Sequence, residues 1–192
     1  MSGVVAMGMR ARLIALGLSG LALAGSVAAV DGVAPFLNEV EDSRLVVYLD
    51  NLGIPTGCEG VTSGMKLGMV LTKEECDEKN AQARAEAAAV VAKATGGMDM
   101  PLSVRMALIS FTYNVGPGRA GRKDGFVRLK NGRESSMLRK VKARDFRGAC
   151  GQFDLWANAG GKSCKDTKGR RDGCYGVYIR RQQEKAICLR GL

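Results

Sequence analysis

Histidine is absent from the 192 residues. That absence removes Ser-His-Asp and Cys-His nucleophilic catalysis and the histidine-ligated zinc centres of many hydrolases. Aromatic residues are sparse at 5%, with a single Trp, and the basic stretch 162–181 has only Tyr175 and Tyr178 as possible stacking platforms. No zinc-finger, helix-turn-helix or RNA-binding signature accompanies it, so nucleic acid is not the expected partner. Repeats and low-complexity tracts are lacking too, and the length suits one domain of ordinary size.

What is present is positive charge and cysteine. Twenty-nine Lys and Arg against 19 Asp and Glu give a net charge of +10, and residues 162–181 carry much of the excess. Such a chain is drawn to polyanions, among which an anionic cell wall fits better than nucleic acid. The six cysteines allow fifteen pairings, and their spacing fits neither a CxxC zinc site nor a redox site. In an exported chain they are expected as disulfides: Cys164 with Cys174 across a Gly- and Lys-rich loop, Cys150 with Cys188 on helices near the C-terminus, and Cys58 with Cys76 flanking a small lobe.

Export is suggested by the N-terminus. After Arg10 and Arg12, residues 13–30 hold eighteen positions without a charge, about 27 Å as a helix. Three Gly, five Ala and two Ser make the run weakly apolar. Its basic flank orients the N-terminus to the cytoplasm. Small residues at Ser26-Val27-Ala28 and Val27-Ala28-Ala29 leave cleavage by signal peptidase open beside retention as a weak anchor. The expected division is therefore 1–30 as the membrane segment and 31–192 as the domain.

Chemistry concentrates just beyond it, where Glu41, Asp50 and Thr56 stand at E-x8-D-x5-T spacing. A protonated carboxylic acid and an ionised carboxylate are what scission of a glycosidic bond requires. A helix over residues 35–46 places Leu37, Val40, Glu41, Arg44 and Leu45 on one face and Glu39 off it. Burial among apolar neighbours then raises the Glu41 pKa, as a general acid needs. Asp50 falls at a strand end and turn, where backbone amides keep a carboxylate ionised, and Thr56 is placed to hold water.

Further motifs follow in order: Thr72-Lys73-Glu74-Glu75-Cys76, then Ala107-Leu108-Ile109-Ser110-Phe111-Thr112-Tyr113-Asn114-Val115-Gly116, then Trp156-Ala157-Asn158-Ala159-Gly160-Gly161-Lys162, and Arg180-Arg181-Gln182-Gln183-Glu184. With the triad, they make residues 36–189 resemble the phage-type lysozymes of glycoside hydrolase family 24, most of all lambdoid endolysins. The resemblance implies hydrolysis of the β-1,4 bond between N-acetylmuramic acid and N-acetylglucosamine in peptidoglycan, with Glu41 as acid, Asp50 as electrostatic and water-positioning partner and Thr56 as water holder. It implies no metal or cofactor. It also implies, for residues 1–30, a signal-arrest-release segment: the chain is tethered in the host inner membrane and later freed to the periplasm as a monomer. Some such relatives cage the site with a thiol from the anchor. Here the first cysteine is Cys58, which excludes that version.

Two departures from the family pattern stand out. Asp42 follows the glutamate where glycine is common, and Glu59 lies where the family carries an aromatic or histidine run; Glu59 is read first as a loop carboxylate pointing into solvent, with a third carboxylate near the cleft that raises its neighbours' pKa values by like-charge repulsion as the alternative. The expected fold is α+β and lysozyme-like. Val47, Ile54 and Val61 supply strands to a small N-terminal lobe. A capping box at Thr72 opens a long Ala-rich helix running toward Thr95 and stopping at Gly96-Gly97, and beyond Pro101 the larger lobe is all helix. Phe111, Tyr113 and Trp156 are expected in the core, and Asn114 is the candidate for touching substrate. The competing readings are a lytic transglycosylase and a non-catalytic wall-binding or membrane-perturbing protein.

Overall fold

The computed structural model describes residues 44–50 and 53–192. Glu41, Asp42, the expected helix before Arg44 and the whole of segment 1–30 lie outside them. Among the described residues no helix is long and apolar enough to cross a membrane.

The small lobe is built on a hairpin of β1 (Arg44–Leu49) and β2 (Pro55–Cys58), paired antiparallel with Tyr48 opposite Thr56 and Leu49 opposite Pro55. Arg44 and Leu45 are therefore strand, and the helix expected over 35–46 cannot extend through them. Consecutive Val46 and Val47 explain the difference: β-branched side chains favour a pleated backbone, and Val47 turns inward while Val46 is exposed and bridges to Val70. Val47, Cys58, Val61, Met65, Leu71 and Cys76 form this lobe's core.

Helix α1 (Lys73–Ala94) leaves that core at Cys76 and reaches the second one at Ala87 and Val91. Thr72 accepts from the Glu75 amide at 3.1 Å while Glu75 accepts from the Thr72 amide at 2.8 Å. This is a complete capping box, with Glu74 and Glu75 placed well against the helix dipole. At the far end Gly96 and Gly97 both have positive φ, which stops the helix. At 22 residues, α1 is about 33 Å long, enough to join two lobes.

The larger lobe packs α2 (Leu102–Val115) against α1 and α5 (Tyr175–Leu189), with α3 (Ser136–Lys142) and α4 (Phe146–Gly151) completing it. Val104, Leu108, Phe111, Phe126, Leu138 and Phe153 fill its centre. Phe111 meets Phe153 and Trp156 edge to face at 5.5 and 4.9 Å, an arrangement aromatic quadrupoles prefer. The lobe is not wholly helical: β3 (Asn158–Ala159) and β4 (Lys162–Ser163) form a hairpin. Gly160 and Gly161, both at positive φ, make the two-residue turn that such hairpins demand. Disulfides join Cys58 to Cys76, Cys150 to Cys188 and Cys164 to Cys174, so one closes the small lobe and two brace the large one.

Candidate active site

Asp50 and Thr56 are brought together by a single residue between them. Gly53, at φ +72°, turns the chain after β1, and its amide donates to the Asp50 carbonyl at 2.9 Å. The Ile54 amide then donates to Asp50 Oδ1 at 2.9 Å. The Ile54 carbonyl accepts from the Asp50 amide and from Thr56 Oγ1, both at 3.0 Å. Carboxylate and hydroxyl are thus fixed relative to each other by backbone rather than by mobile side chains. Thr56 is buried, and its one proton is spent on Ile54, leaving oxygen lone pairs as its remaining function.

From Thr56 the chain runs into the wall of a groove between the lobes. Gly57 pairs with Val61, and Gly60, Val61, Thr62 and Ser63 form one side of a cleft of about 340 Å³. Ala83, Glu86, Ala87 and Val90 of α1 make its floor, and Thr112, Tyr113, Gly116 and Pro117 its far side. Tyr113 is therefore a groove residue as well as a neighbour of the core. Its hydroxyl donates to the Glu59 carbonyl at 2.8 Å, and burial, with Glu59 nearby, pushes its pKa up to about 12. It stays a proton donor throughout the neutral range.

Glu59 is not the solvated loop carboxylate that its position in a Gly-rich run suggests. It is buried, its amide donates to Asn80 Oδ1 at 3.2 Å, and its carboxylate pairs with Arg84 at 3.1 Å. Burial nonetheless outweighs the arginine and holds the Glu59 carboxyl above its ordinary value, with Asp77 adding to the effect. The partners lie on α1 and α2, so this residue ties the groove's small-lobe edge to both helices.

Asn114 is exposed at the end of α2, directly after Tyr113. Arg181 Nη2 donates to its Oδ1 at 3.0 Å, which turns the Asn114 amide hydrogens outward as donors. Arg181 is itself fully buried, stacked over Phe111 at 4.9 Å and 2.8 Å from Glu184 Oε2. Ser110 donates to Glu184 Oε1 at 2.7 Å. The Arg180-Arg181 and Glu184 motif thus supports Asn114 from below, a role no local pattern reveals, since the partners are 67 residues apart. Glu41 lies outside the described residues, and among these no group of side chains could hold a metal ion.

The sequence matches the phage lysozyme family over residues 38–184, a span that includes Glu41, Asp50, Thr56 and Asn114. The chain belongs to the phage lysozyme family. As a member of it, the chain is 36% identical to the SAR-endolysin of Escherichia phage N15 over 185 residues, covering 93% of this chain and 94% of the relative. It is 33% identical to the SAR-endolysin of Escherichia phage 933W, covering 100% and 99%. The crystal structure of the active form of the P1 phage endolysin Lyz superposes with a TM-score of 0.64 at 20% identity, covering 87% of this chain and 93% of that one. That likeness establishes a lysozyme-like fold of mixed helices and small sheets.

Proposed function

We propose that this phage lysozyme is an endolysin that hydrolyses the β-1,4 bond between N-acetylmuramic acid and N-acetylglucosamine in peptidoglycan and so lyses the host cell. Glu41 donates the proton to the leaving oxygen. Asp50 stabilises the oxocarbenium-like transition state and orients water. Thr56 Oγ1, its own proton committed to Ile54, accepts a hydrogen from that water and leaves an oxygen lone pair free for attack. Asn114, its amide hydrogens turned outward by Arg181, donates to a sugar or acetamido oxygen in the groove.

The observation that carries this reading is the family match across residues 38–184 with E-x8-D-x5-T spacing intact inside it. The backbone coupling of Asp50 to Thr56 supports it, because water positioning demands two groups fixed relative to each other. We further assign residues 1–30 as a signal-arrest-release segment, so that the domain 31–192 is first tethered to the inner membrane with its N-terminus cytoplasmic and then released to the periplasm. Support comes from the uncharged run 13–30 and from the similarity to endolysins that carry the SAR designation. A weak anchor is released when the potential falls, since each charge held inside is worth about 2.3 kcal/mol per 100 mV.

The test is release of reducing ends from purified peptidoglycan under non-reducing conditions. Glu41→Gln is expected to slow release by about 10²- to 10⁴-fold, the usual contribution of a general acid. An anhydro-muramic product identifies a transglycosylase instead, and equal killing by wild type and variant identifies a membrane-active protein.

A further inference from the structure

The chain's positive charge is distributed in a way that the triad does not require. Residues 116–147 hold eleven Lys and Arg against three Asp and Glu, a surplus of eight where the whole chain has ten. Six of those cations, Arg119, Arg122, Lys123, Arg128, Lys130 and Arg133, are exposed on one loop, 119–133. Among the described residues none of the six forms an ion pair with a carboxylate. Asp124, the loop's one acid, spends its Oδ1 on the Lys130 amide at 2.6 Å. Like charges inside one screening length, about 8–10 Å at physiological salt, repel each other. The loop therefore carries a cost that local packing does not explain.

The loop is also built to hold its shape. Phe126, fully buried, anchors it in the core. The Gly121 amide donates to the Lys130 carbonyl at 2.7 Å and the Gly125 amide to the Arg128 carbonyl at 3.0 Å, folding the loop back on itself. A side chain at Gly118 would begin 1.9 Å from the Arg128 carbonyl oxygen, and one at Gly125 would begin 2.0 Å from the Gly118 nitrogen. Only glycine permits that closeness of backbone. The loop starts at the groove: Gly116 and Pro117 line the cleft, and a side chain at Gly116 would begin 3.9 Å from the Lys123 ammonium. The Lys123 amide donates to the Arg119 carbonyl at 2.9 Å, so Arg119 and Arg122 belong to the same turn at the groove's end.

We propose that loop 119–133 binds the carboxylates of the peptide stems that branch from the glycan lying in the groove. This rests on the muramidase reading. It deepens that reading by naming which part of the polymer the charge recognises. A sugar backbone gives six arginines and lysines little to bind, whereas stems leaving the muramic acid carry free carboxylates beside the cleft, where this loop stands. Contacts of this kind, at the rim of a site, act mainly on encounter rate and salt dependence. An anionic bilayer is the competing partner for a basic surface, and its arm is included in the test.

The experiment compares the full chain with R119Q/R122Q/K130Q/R133Q on two substrates, intact sacculi and sacculi whose stem carboxylates have been capped as neutral amides with a carbodiimide and methylamine. Neutralisation is expected to lower kcat/KM on intact sacculi about tenfold at low salt, with the difference closing as salt rises, and to leave amide-capped sacculi unaffected. An equal loss on both substrates, or none on either, overturns the proposal. If only binding to phosphatidylglycerol vesicles falls, relative to phosphatidylcholine ones, the loop is a membrane surface and the proposal fails. Pelleting of the Glu41→Gln chain with intact and amide-capped sacculi, with and without the four loop changes, is read independently of catalysis. Carboxylate-dependent pelleting lost on neutralisation upholds stem recognition even where no bond is cut, and its absence overturns it. Silence of the wild type in the reducing-end assay counts against the muramidase reading alone.

Discussion

Glu59 sits at the seam between the lobes and Glu184 at the centre of the larger one, and both are buried carboxylates beside arginine whose burial pushes them above the ordinary value. Their surroundings differ. Glu184 is surrounded by Arg180, Arg181 and Ser110, and burial in turn lowers Arg181 to about 10, still cationic at neutral pH. Glu59 meets Arg84 and, through its backbone, Asn80 and Tyr113. One cluster holds a lobe together and props Asn114; the other joins the groove's edge to the helices behind it. A buried ion pair is weak evidence for stability in itself, so position decides what each one does.

Removing Glu184 should have the largest effect, because it strands buried cations in a packed interior. Glu184→Ala is expected to destabilise the protein by about 3–5 kcal/mol in denaturant unfolding. Glu59→Ala should cost clearly less, since Arg84 can turn toward the groove's water. Equal losses would break the distinction between a structural and a seam carboxylate.

Opening the Cys58–Cys76 bond comes next. It closes a segment of 18 residues around the small lobe, and C58A/C76A is expected to cost about 3 kcal/mol, mostly by releasing the unfolded chain. Hydrogen exchange should show the loss in β1, β2 and residues 60–71 ahead of the large lobe. Uniform loss across both lobes would mean that the seam couples them more tightly than Glu59 and Tyr113 alone suggest.

At the seam itself, Tyr113→Phe removes the donor to the Glu59 carbonyl and leaves a half-buried acceptor. A loss of about 1 kcal/mol is expected, with faster exchange confined to Gly60–Ser63. An unchanged exchange pattern would show that the hydrogen bond does not restrain the groove wall.

How much of this was legible in the sequence follows from the distance over which each feature is specified. The capping box at Thr72, the stop at Gly96-Gly97 and the Asp50–Thr56 pair are set within six residues, and short-range patterns reveal them. The β3–β4 hairpin was hidden because two-residue strands have no alternation to read, so Gly160-Gly161 looked like a helix stop. Strand β1 was partly misread because an apolar run ending in Val46-Val47 satisfies a helical period as well as a strand. Glu59 was misread for a different reason: Asn80, Arg84 and Tyr113 lie 21, 25 and 54 residues on. No local rule reports that three distant groups will enclose one carboxylate. The same holds for Arg181 and Asn114.

The smallest effect is one of slope. A carboxylate usually has a depressed pKa in the folded state and loses stability as pH falls, but Glu59 is the opposite case. Folded, it keeps its proton to higher pH than its ordinary 4.5 because burial outweighs Arg84 and Lys73, with Asp77 adding to the rise. Between 4.5 and the raised folded value the native state binds more protons than the unfolded chain, so this group's contribution to stability falls as pH rises through that window. Asp154 runs the other way: Lys185 holds it low, so its contribution is lost only as pH falls through its lowered folded value. Glu59→Gln should therefore flatten the decline of stability with pH just above 4.5 while leaving the acid limb, to which Asp154 contributes, in place. Unfolding free energies of wild type and variant measured across this range decide it, and parallel curves would show that the seam carboxylate titrates as though it were in solvent.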